Sequence, residues 1–232
     1  MPTPARAIDA VRELRPQAFG SRRPDRIVEP VVEPLWTGVR ALAAVEAGEA
    51  VLHDAEGRLL TEHPPILEQL RTVVLGDGVI IDGFLTKEAA RDGTGVYTGS
   101  DRGESTGRLI VQSFTGVRRD RAKELIETQR QVREATTFGP DETVTFVVVD
   151  LLWVDGEPLL DVPLLERKRL LEGVLRESDL VRRGVYVRPP IATWIGSWRS
   201  LGFRGITFKA PNSRYRPGQR NDEWATAAMP RR

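Results

Sequence analysis

Residues 146–156 read Phe146-Val-Val-Val-Asp150-Leu-Leu-Trp153-Val-Asp-Gly156, a nearly continuous apolar and β-branched run that one aspartate interrupts. Such a run, extended to Val144–Val154, predicts a central strand that is covered on both faces. The next segment, Asp161-Val162-Pro163, is typical of a helix start. The helix after it has an apolar stripe made of Leu164, Leu165, Leu171, Val174 and Leu175.

Upstream of this strand the pattern is that of short strands and one helix. Val39–Glu46 and Ala50–Asp54 flank Ala47-Gly48-Glu49, which predicts a hairpin. Pro64-Pro65 opens a segment with apolar residues at helical spacing. Val79-Ile80-Ile81 predicts a buried strand that ends at Asp82-Gly83.

The two ends of the chain complete the expected organisation. Short strands are predicted at 185–187 and 205–209, with a helix at 194–201 between them. Residues 1–26 are rich in proline and arginine, which indicates an irregular or partly helical lead-in. Without a repeat or a linker, residues 27–228 are expected to form one α+β domain with antiparallel sheets.

The middle of the chain holds two further features. Five glycines fall within 92–107, and a phosphate-cradling loop is one interpretation of them. Their spacing matches neither the dinucleotide-binding nor the Walker pattern, so a flexible loop is favoured. Residues 119–135 predict a charged helix whose inner face carries Ala122, Leu125, Ile126 and Val132.

The amino-acid composition excludes several kinds of catalytic and metal-binding site. There are no cysteines, which excludes disulfides, thiolate metal sites and thiol catalysis. His53 and His63 are the only histidines, and their spacing suggests neither a metal site nor a catalytic triad, so no metal site is predicted. No apolar run approaches the length of a membrane span, and no signal-peptide core is evident. The expected location is the cytoplasm.

Charge is close to balanced overall but uneven along the chain. The net charge is +1, yet residues 199–232 hold eight basic residues against two acids. This stretch could meet a phosphate backbone through Arg214, Arg216 and Arg220, which are the candidate DNA-contacting residues. A solvated basic tail is the alternative.

Four stretches, in order, resemble the motifs of ATP-dependent DNA ligases, especially the ligase modules of bacterial end-joining systems. They are Glu33-Pro-Leu-Trp-Thr-Gly-Val-Arg40, Ile81-Asp82-Gly83-Phe84, the strand at 146–156 with Pro163-Leu-Leu-Glu-Arg-Lys168, and Leu201-Gly-Phe-Arg204-Gly205-Ile-Thr-Phe-Lys209 with Tyr215-Arg-Pro-Gly218 and Trp224. The resemblance implies the adenylation (nucleotidyltransferase) fold of that family, in which two antiparallel sheets are flanked by helices and enclose a nucleotide cleft. The chain ends at Arg232, so no C-terminal oligonucleotide-binding barrel is expected.

The resemblance also implies a reaction that these residues do not support. In the family, a lysine amine attacks the α-phosphate of ATP, and carboxylates hold divalent metal against the phosphates. The nucleophile position is Leu35 here, and Phe84 and Arg204 stand where the family has glutamates. No catalytic residue is therefore predicted and no cofactor is expected. ATP and magnesium enter only if another residue, such as Lys209, has taken over the chemistry.

Four residues match family positions that contact nucleotide. They are Glu33, Arg40, Asp150 and Lys209. Structural roles are the alternative, in which Asp150 caps a strand end and Arg40 pairs with a surface acid. Three functions stay open: a degenerate scaffold that binds duplex DNA or a DNA-repair protein, an active ligase or nucleotidyltransferase with rewired chemistry, and a nucleotide sensor that does not react.

Overall fold

The computed structural model describes residues 6–87, 138 and 142–230. The glycine-rich stretch at 92–107 and the helix predicted at 119–135 lie outside these residues. The helices are α1 (Ala7–Ala10), α2 (Pro64–Val73), α3 (Leu164–Val174) and α4 (Ala192–Ser200), with a 3-10 turn at Pro24–Arg26. The strands are β1 (Ala18–Phe19), β2 (Val31–Pro34), β3 (Val39–Glu46), β4 (Glu49–Asp54), β5 (Val79–Thr86), β6 (Thr145–Val154), β7 (Glu157–Pro158), β8 (Val181–Arg183), β9 (Gly205–Lys209), β10 (Arg220–Asn221) and β11 (Trp224–Ala228).

A large sheet forms the centre of the domain. Its strands follow the order β4-β3-β5-β6-β7 and pair antiparallel, while β8 adds to β6 in parallel. Strand β6 is buried along its first eight residues, as its apolar run predicts. One face of the sheet packs against α2 and the end of α3 through an apolar cluster that includes Leu52, Leu70 and Leu171.

A smaller antiparallel sheet, β11-β9-β2, packs on the other face of the large sheet. One apolar cluster joins Val31 and Trp224 of the small sheet to Leu42 and Ile80 of the large one. A second cluster joins Ile206 to residues of β6 and to α4. The architecture is therefore α+β with two sheets flanked by helices, which confirms the predicted fold class.

Most predicted elements are present at the expected places, but two differ. Strand β5 does not end at Asp82-Gly83 and continues to Thr86. A Cβ atom at Gly83 would lie 2.5 Å from the carbonyl oxygen of Val147, so this glycine permits close strand contact and does not terminate the strand.

The strand predicted at 185–187 was wrong. The strand lies at Val181–Arg183, and within that prediction only Val187 pairs, in a single bridge to Val32. The Gly184 amide still donates to the carbonyl of Val148 at 2.7 Å, after which the chain leaves the large sheet for the small one.

The N-terminal segment packs on the domain. In α1, Ala7 and Ile8 are buried in the cluster between the sheets, and Val11 joins them. Strand β1 pairs in parallel with β10, so Ala18 lies opposite Arg220. Residues near the start of the chain thus lie beside residues near its end.

Candidate functional site: the charged layer between the sheets

A buried lysine–glutamate–lysine triad lies where the two sheets meet. Glu33 on β2 forms ion pairs through both carboxylate oxygens, with Lys168 of α3 and with Lys209 of β9. The Lys209 Nζ to Glu33 Oε2 distance is 2.5 Å. Lys168 also donates to the carbonyl oxygen of Val149 at 2.6 Å. At most 3% of each of these charged side chains is exposed to solvent.

The triad alters the proton affinity of its members. Burial by itself would raise the pKa of Glu33, but the charges of Lys168 and Lys209 outweigh it and hold that pKa below the usual value. Burial lowers the pKa of Lys209, which Glu33 opposes only in part. Lys209 also lies 4.3 Å from the centroid of the Trp224 ring, a favourable cation–π position.

A second pair joins β6 to α3. Arg167 donates from Nε and Nη2 to the two carboxylate oxygens of Asp150, at 2.9 and 2.7 Å. Its remaining nitrogen, Nη1, donates to the carbonyl oxygens of Val162 and Ser213. This bidentate geometry is the strong form of an arginine–carboxylate pair. Asp150 therefore has a structural partner on each oxygen.

A third pair joins neighbouring strands of the large sheet. Arg40 donates from Nε and Nη2 to the two oxygens of Asp82, at 2.6 and 2.5 Å. The Tyr215 hydroxyl donates to Asp82 at 2.7 Å and accepts from the amide of Gln17 at 3.0 Å. Burial, followed by the charge of Asp82, raises the pKa of Tyr215 well above its usual value. Arg40 is the most open of this group, at 14% exposed.

Helix α3 supplies two of these cations because of its spacing. Its buried residues are Leu164, Arg167, Lys168 and Leu171, which recur at the interval of one helix face. The cations thus occupy the inner stripe of the helix, at positions that are usually apolar. They are tolerated there because Asp150 and Glu33 provide charge and hydrogen-bond partners.

The nucleophile position of the resemblance lies at the edge of this charged layer. Leu35 is half-buried and packs with Phe84, Trp36 and Val149 in one apolar cluster. The positions that would carry an amine and a carboxylate in the family are therefore adjacent to one hydrophobic surface. An amine at position 35 would lose hydration there without gaining an acidic partner from Phe84.

The carboxylates of the layer do not fit a divalent metal. Glu33, Asp82 and Asp150 each have a cation of the chain within ion-pair distance of both carboxylate oxygens. Arg204, where the family has a glutamate, is exposed and positively charged. Across the described part of the chain, no group of three or more acids or histidines has the proximity that a metal ion requires.

The structure brings the four predicted nucleotide-contacting residues into this one layer. Glu33, Arg40, Asp150 and Lys209 all lie between the sheets, and all four are paired internally. Whether they also bind nucleotide stays a prediction. Arg40 pairs with a buried acid and not with a surface one, and Asp150 pairs with a helix and does not cap a strand.

Sequence reasoning missed four members of the layer. They are Asp82, Arg167, Lys168 and Tyr215. A signal existed for Arg167 and Lys168, because their spacing from Leu164 and Leu171 continues the apolar stripe of α3. Asp82 and Tyr215 lie within quoted motifs, but only the folded chain shows that their side chains meet.

The three candidate DNA-contacting residues lie outside the layer. Arg214, Arg216 and Arg220 are exposed, while Tyr215 between them points inward. None of the three forms a salt bridge with another residue of the described ranges.

Comparison with known proteins gives the family. The family described as ATP dependent DNA ligase domain matches residues 109–226, about half of the chain. The chain therefore belongs to the ATP-dependent DNA ligase family, and its two-sheet domain is the adenylation domain of that family.

Individual proteins that are similar to this chain over most of its length include DNA ligases. The multifunctional non-homologous end joining DNA repair protein LigD of Mycobacterium tuberculosis is 27% identical over 192 residues, which is 83% of this chain and 20% of the relative. A DNA ligase of Thermococcus fumicolans is 26% identical over 201 residues, 84% of this chain and 32% of the relative. The chain thus spans about a fifth to a third of the length of these relatives.

Solved structures show the same fold. The ligase domain of M. tuberculosis LigD superposes with a TM-score of 0.61 at 23% identity, covering 92% of this chain and 58% of that chain. A mycobacterial DNA ligase D complexed with ATP and MES gives 0.62 at 21% identity, with 94% and 60% covered. Among the described helices, none is long and apolar enough to cross a membrane.

Proposed function

We propose that this ligase-family domain does not attach AMP to itself and serves in DNA repair as a module that binds duplex DNA. The absence of self-adenylation is inferred from the residues that occupy the cleft. Leu35 occupies the nucleophile position within an apolar cluster, and the two lysines in the charged layer are held by Glu33. An alkyl side chain has no electron pair to give to a phosphorus atom.

Metal assistance is also unsupported. Phe84 and Arg204 replace the glutamates that the family resemblance places near the phosphates, and the remaining carboxylates are bonded to arginine or lysine. A metal ion or a triphosphate would have to displace these buried ion pairs. Breaking a buried pair by removing one partner costs about 3–5 kcal/mol, so displacement opposes binding strongly.

The experiment is self-adenylation. The protein is incubated with α-labelled ATP and Mg²⁺ or Mn²⁺ and then separated by denaturing electrophoresis, with an active ATP-dependent DNA ligase in parallel. We expect label on the active ligase and none on this chain. Labelled protein would overturn the proposal.

Matched variants would then identify the residue responsible for any label. Lys209→Arg keeps the charge that faces Glu33 but removes the amine nucleophile, and Lys168→Arg does the same at the other lysine. Loss of label in only one of the two would assign the rewired chemistry to that lysine. Thermal melting of each variant confirms that the domain is folded.

The proposed binding of duplex DNA is supported by family membership and by the exposed arginines. The relatives include a protein whose name states a role in non-homologous end joining DNA repair, and Arg214, Arg216 and Arg220 are exposed and unpaired by any described acid. Fluorescence anisotropy with nicked and blunt duplexes should give binding that weakens as salt rises. Failure to bind either duplex at low salt would leave a DNA-repair protein as the partner.

A further inference from the structure

We infer that the N-terminal segment, the basic loop before β10 and the first residue of β10 form one surface for a DNA phosphate backbone, here called the arginine surface. It consists of Arg22, Arg23, Arg214, Arg216 and Arg220. This inference rests on the proposed function and assigns the site of DNA contact. The two stretches are about 190 residues apart in the chain, so the surface exists only in the folded protein.

Backbone hydrogen bonds hold the two stretches together. The amide of Ala18 donates to the carbonyl of Gln219 at 3.0 Å, and the amide of Gly20 donates to Trp224 at 3.0 Å. In the opposite sense, Gly218 donates to the carbonyl of Arg15 at 2.9 Å. The arginines therefore project from a braced backbone, which reduces the ordering cost of binding.

Side chains reinforce this junction. The Asp222 carboxylate accepts from the amide of Ser21 at 2.8 Å and from its hydroxyl at 3.3 Å. The amide of Arg216 donates to the side-chain oxygen of Gln17, which is itself buried. The Phe19 ring packs 5.8 Å from the Trp224 ring.

The charges on this surface remain available to a ligand. All five arginines are exposed. Arg23 pairs with Asp25 at 3.1 Å, but its side chain is 78% exposed, and such pairs are weak. The other four form no salt bridge within the described residues. Asp222 accepts two hydrogen bonds from Ser21, and its charge also acts on the neighbouring Arg22.

The pairing of β1 with β10 sets the layout. The two strands are parallel, so Ala18 lies opposite Arg220, and Arg22 follows shortly after β1. Arg216 precedes β10 across a tight turn, in which the amide of Gln219 donates to the carbonyl of Arg216 at 3.1 Å. Arg22 is four residues past Ala18, the partner of Arg220, and four residues reach no more than about 14 Å. Guanidinium groups spaced in this way can meet several phosphates of one duplex, in which a charge recurs about every 1.7 Å of helix axis.

The test compares two pairs of substitutions. Arg22→Gln with Arg23→Gln removes one unpaired and one paired arginine from the surface. The matched control is Arg176→Gln with Arg71→Gln, because Arg71 pairs with Glu68 and Arg176 has no ion pair among the described residues. Both control residues are exposed, and each follows a buried leucine, Leu70 or Leu175, of the cluster that packs the large sheet against α2.

Binding of a labelled 20-bp duplex is measured by anisotropy between about 50 and 200 mM salt. For the Arg22/Arg23 variant we expect affinity to be about tenfold weaker. The plot of log association constant against log salt concentration should become shallower, its negative slope shrinking in magnitude by about 1–2. The control should keep the wild-type slope. Melting temperatures within a few degrees show that all proteins are folded.

The failures are separable. If the wild type binds no duplex, the proposed function fails. If the wild type binds and both variant pairs weaken it equally, net charge explains the result and the arginine surface is overturned. The same holds if the wild type binds and the Arg22/Arg23 variant keeps its affinity and salt dependence. A dependence on Arg22 and Arg23 for anionic vesicles alone would overturn the assignment to DNA.

Discussion

Asp150 and Arg167 form a bidentate pair with neither side chain exposed to solvent, across the contact between β6 and α3. Both side chains lose their hydration on folding. The ion pair between them offsets this unfavourable free energy, so removing either partner leaves an unpaired buried charge. Together with the Glu33 triad and the Arg40–Asp82 pair, it forms a layer between the sheets in which these charged side chains pair with one another.

Removing one member of the Asp150 pair should destabilise the domain. Arg167→Met leaves a buried carboxylate without its counter-ion, and we expect a loss of about 3–5 kcal/mol in the free energy of unfolding. Urea unfolding followed by tryptophan fluorescence measures it.

The double variant Asp150→Asn, Arg167→Met is the control for lost packing. It should recover more than half of the loss, because no unpaired charge remains. A single-variant loss below about 1 kcal/mol would contradict the geometry described here.

Glu33 should contribute to acid stability. Its folded pKa lies below the usual 4.5, so its stabilising effect is complete above that pH and is lost as pH falls through the lower folded value. Glu33→Gln should therefore lose stability at neutral pH, where two buried lysines lack their partner, and show a flatter decline between about pH 5 and 3.

The exposed Glu68 provides the comparison for this pH series. Glu68→Gln should keep both the neutral stability and the acid decline of the wild type, because its pair with Arg71 is solvated. Equal acid declines for wild type and Glu33→Gln would show that Glu33 is not charged in the folded state.

Tyr215 should stabilise the domain through its hydroxyl. Tyr215→Phe removes the donor to Asp82 and the acceptor for the Gln17 amide, which should cost about 1–3 kcal/mol. Since the folded pKa is raised, this residue's contribution is complete below about pH 10 and is lost as pH rises above it.

Absorbance at 295 nm tests the Tyr215 assignment directly. The folded wild type and Tyr215→Phe should show the same rise between about pH 9 and 11, because Tyr215 does not ionise in that range. A smaller rise in the variant would mean that the hydroxyl is open to solvent.

Restoring the nucleophile alone should not restore the reaction. Leu35→Lys places an amine beside Phe84, while Arg204 and the paired carboxylates stay unchanged. We expect no labelled AMP adduct, and a loss of about 1–3 kcal/mol in stability from the amine in an apolar cluster. Leu35→Met is the control and should be close to wild type. An adduct on Leu35→Lys would show that the paired cleft still admits ATP.

Local pattern was sufficient for most of the fold. The hairpin signal after Val39–Glu46, the proline-initiated helix at Pro64 and the continuous run of β6 each predicted elements close to those observed. The apolar pattern of each of these elements lies within one short stretch of sequence, so it can be recognised without knowledge of the rest of the chain. The strand predicted at 185–187 was wrong because this segment leaves the large sheet, and only Val187 finds a partner, Val32 of β2, which is distant in sequence.

What the sequence determined by itself was the family scaffold and the prediction that the reactive groups are absent, because Leu35, Phe84 and Arg204 occupy positions of the motifs that resemble the family's. Only the tertiary structure decided which charges are paired. Lys168 and Lys209 meet Glu33, and Arg167 meets Asp150, because α3 and the two sheets converge on one buried layer. Ion pairing depends on distances between side chains that sequence spacing does not fix, and burial makes each of those pairings obligatory.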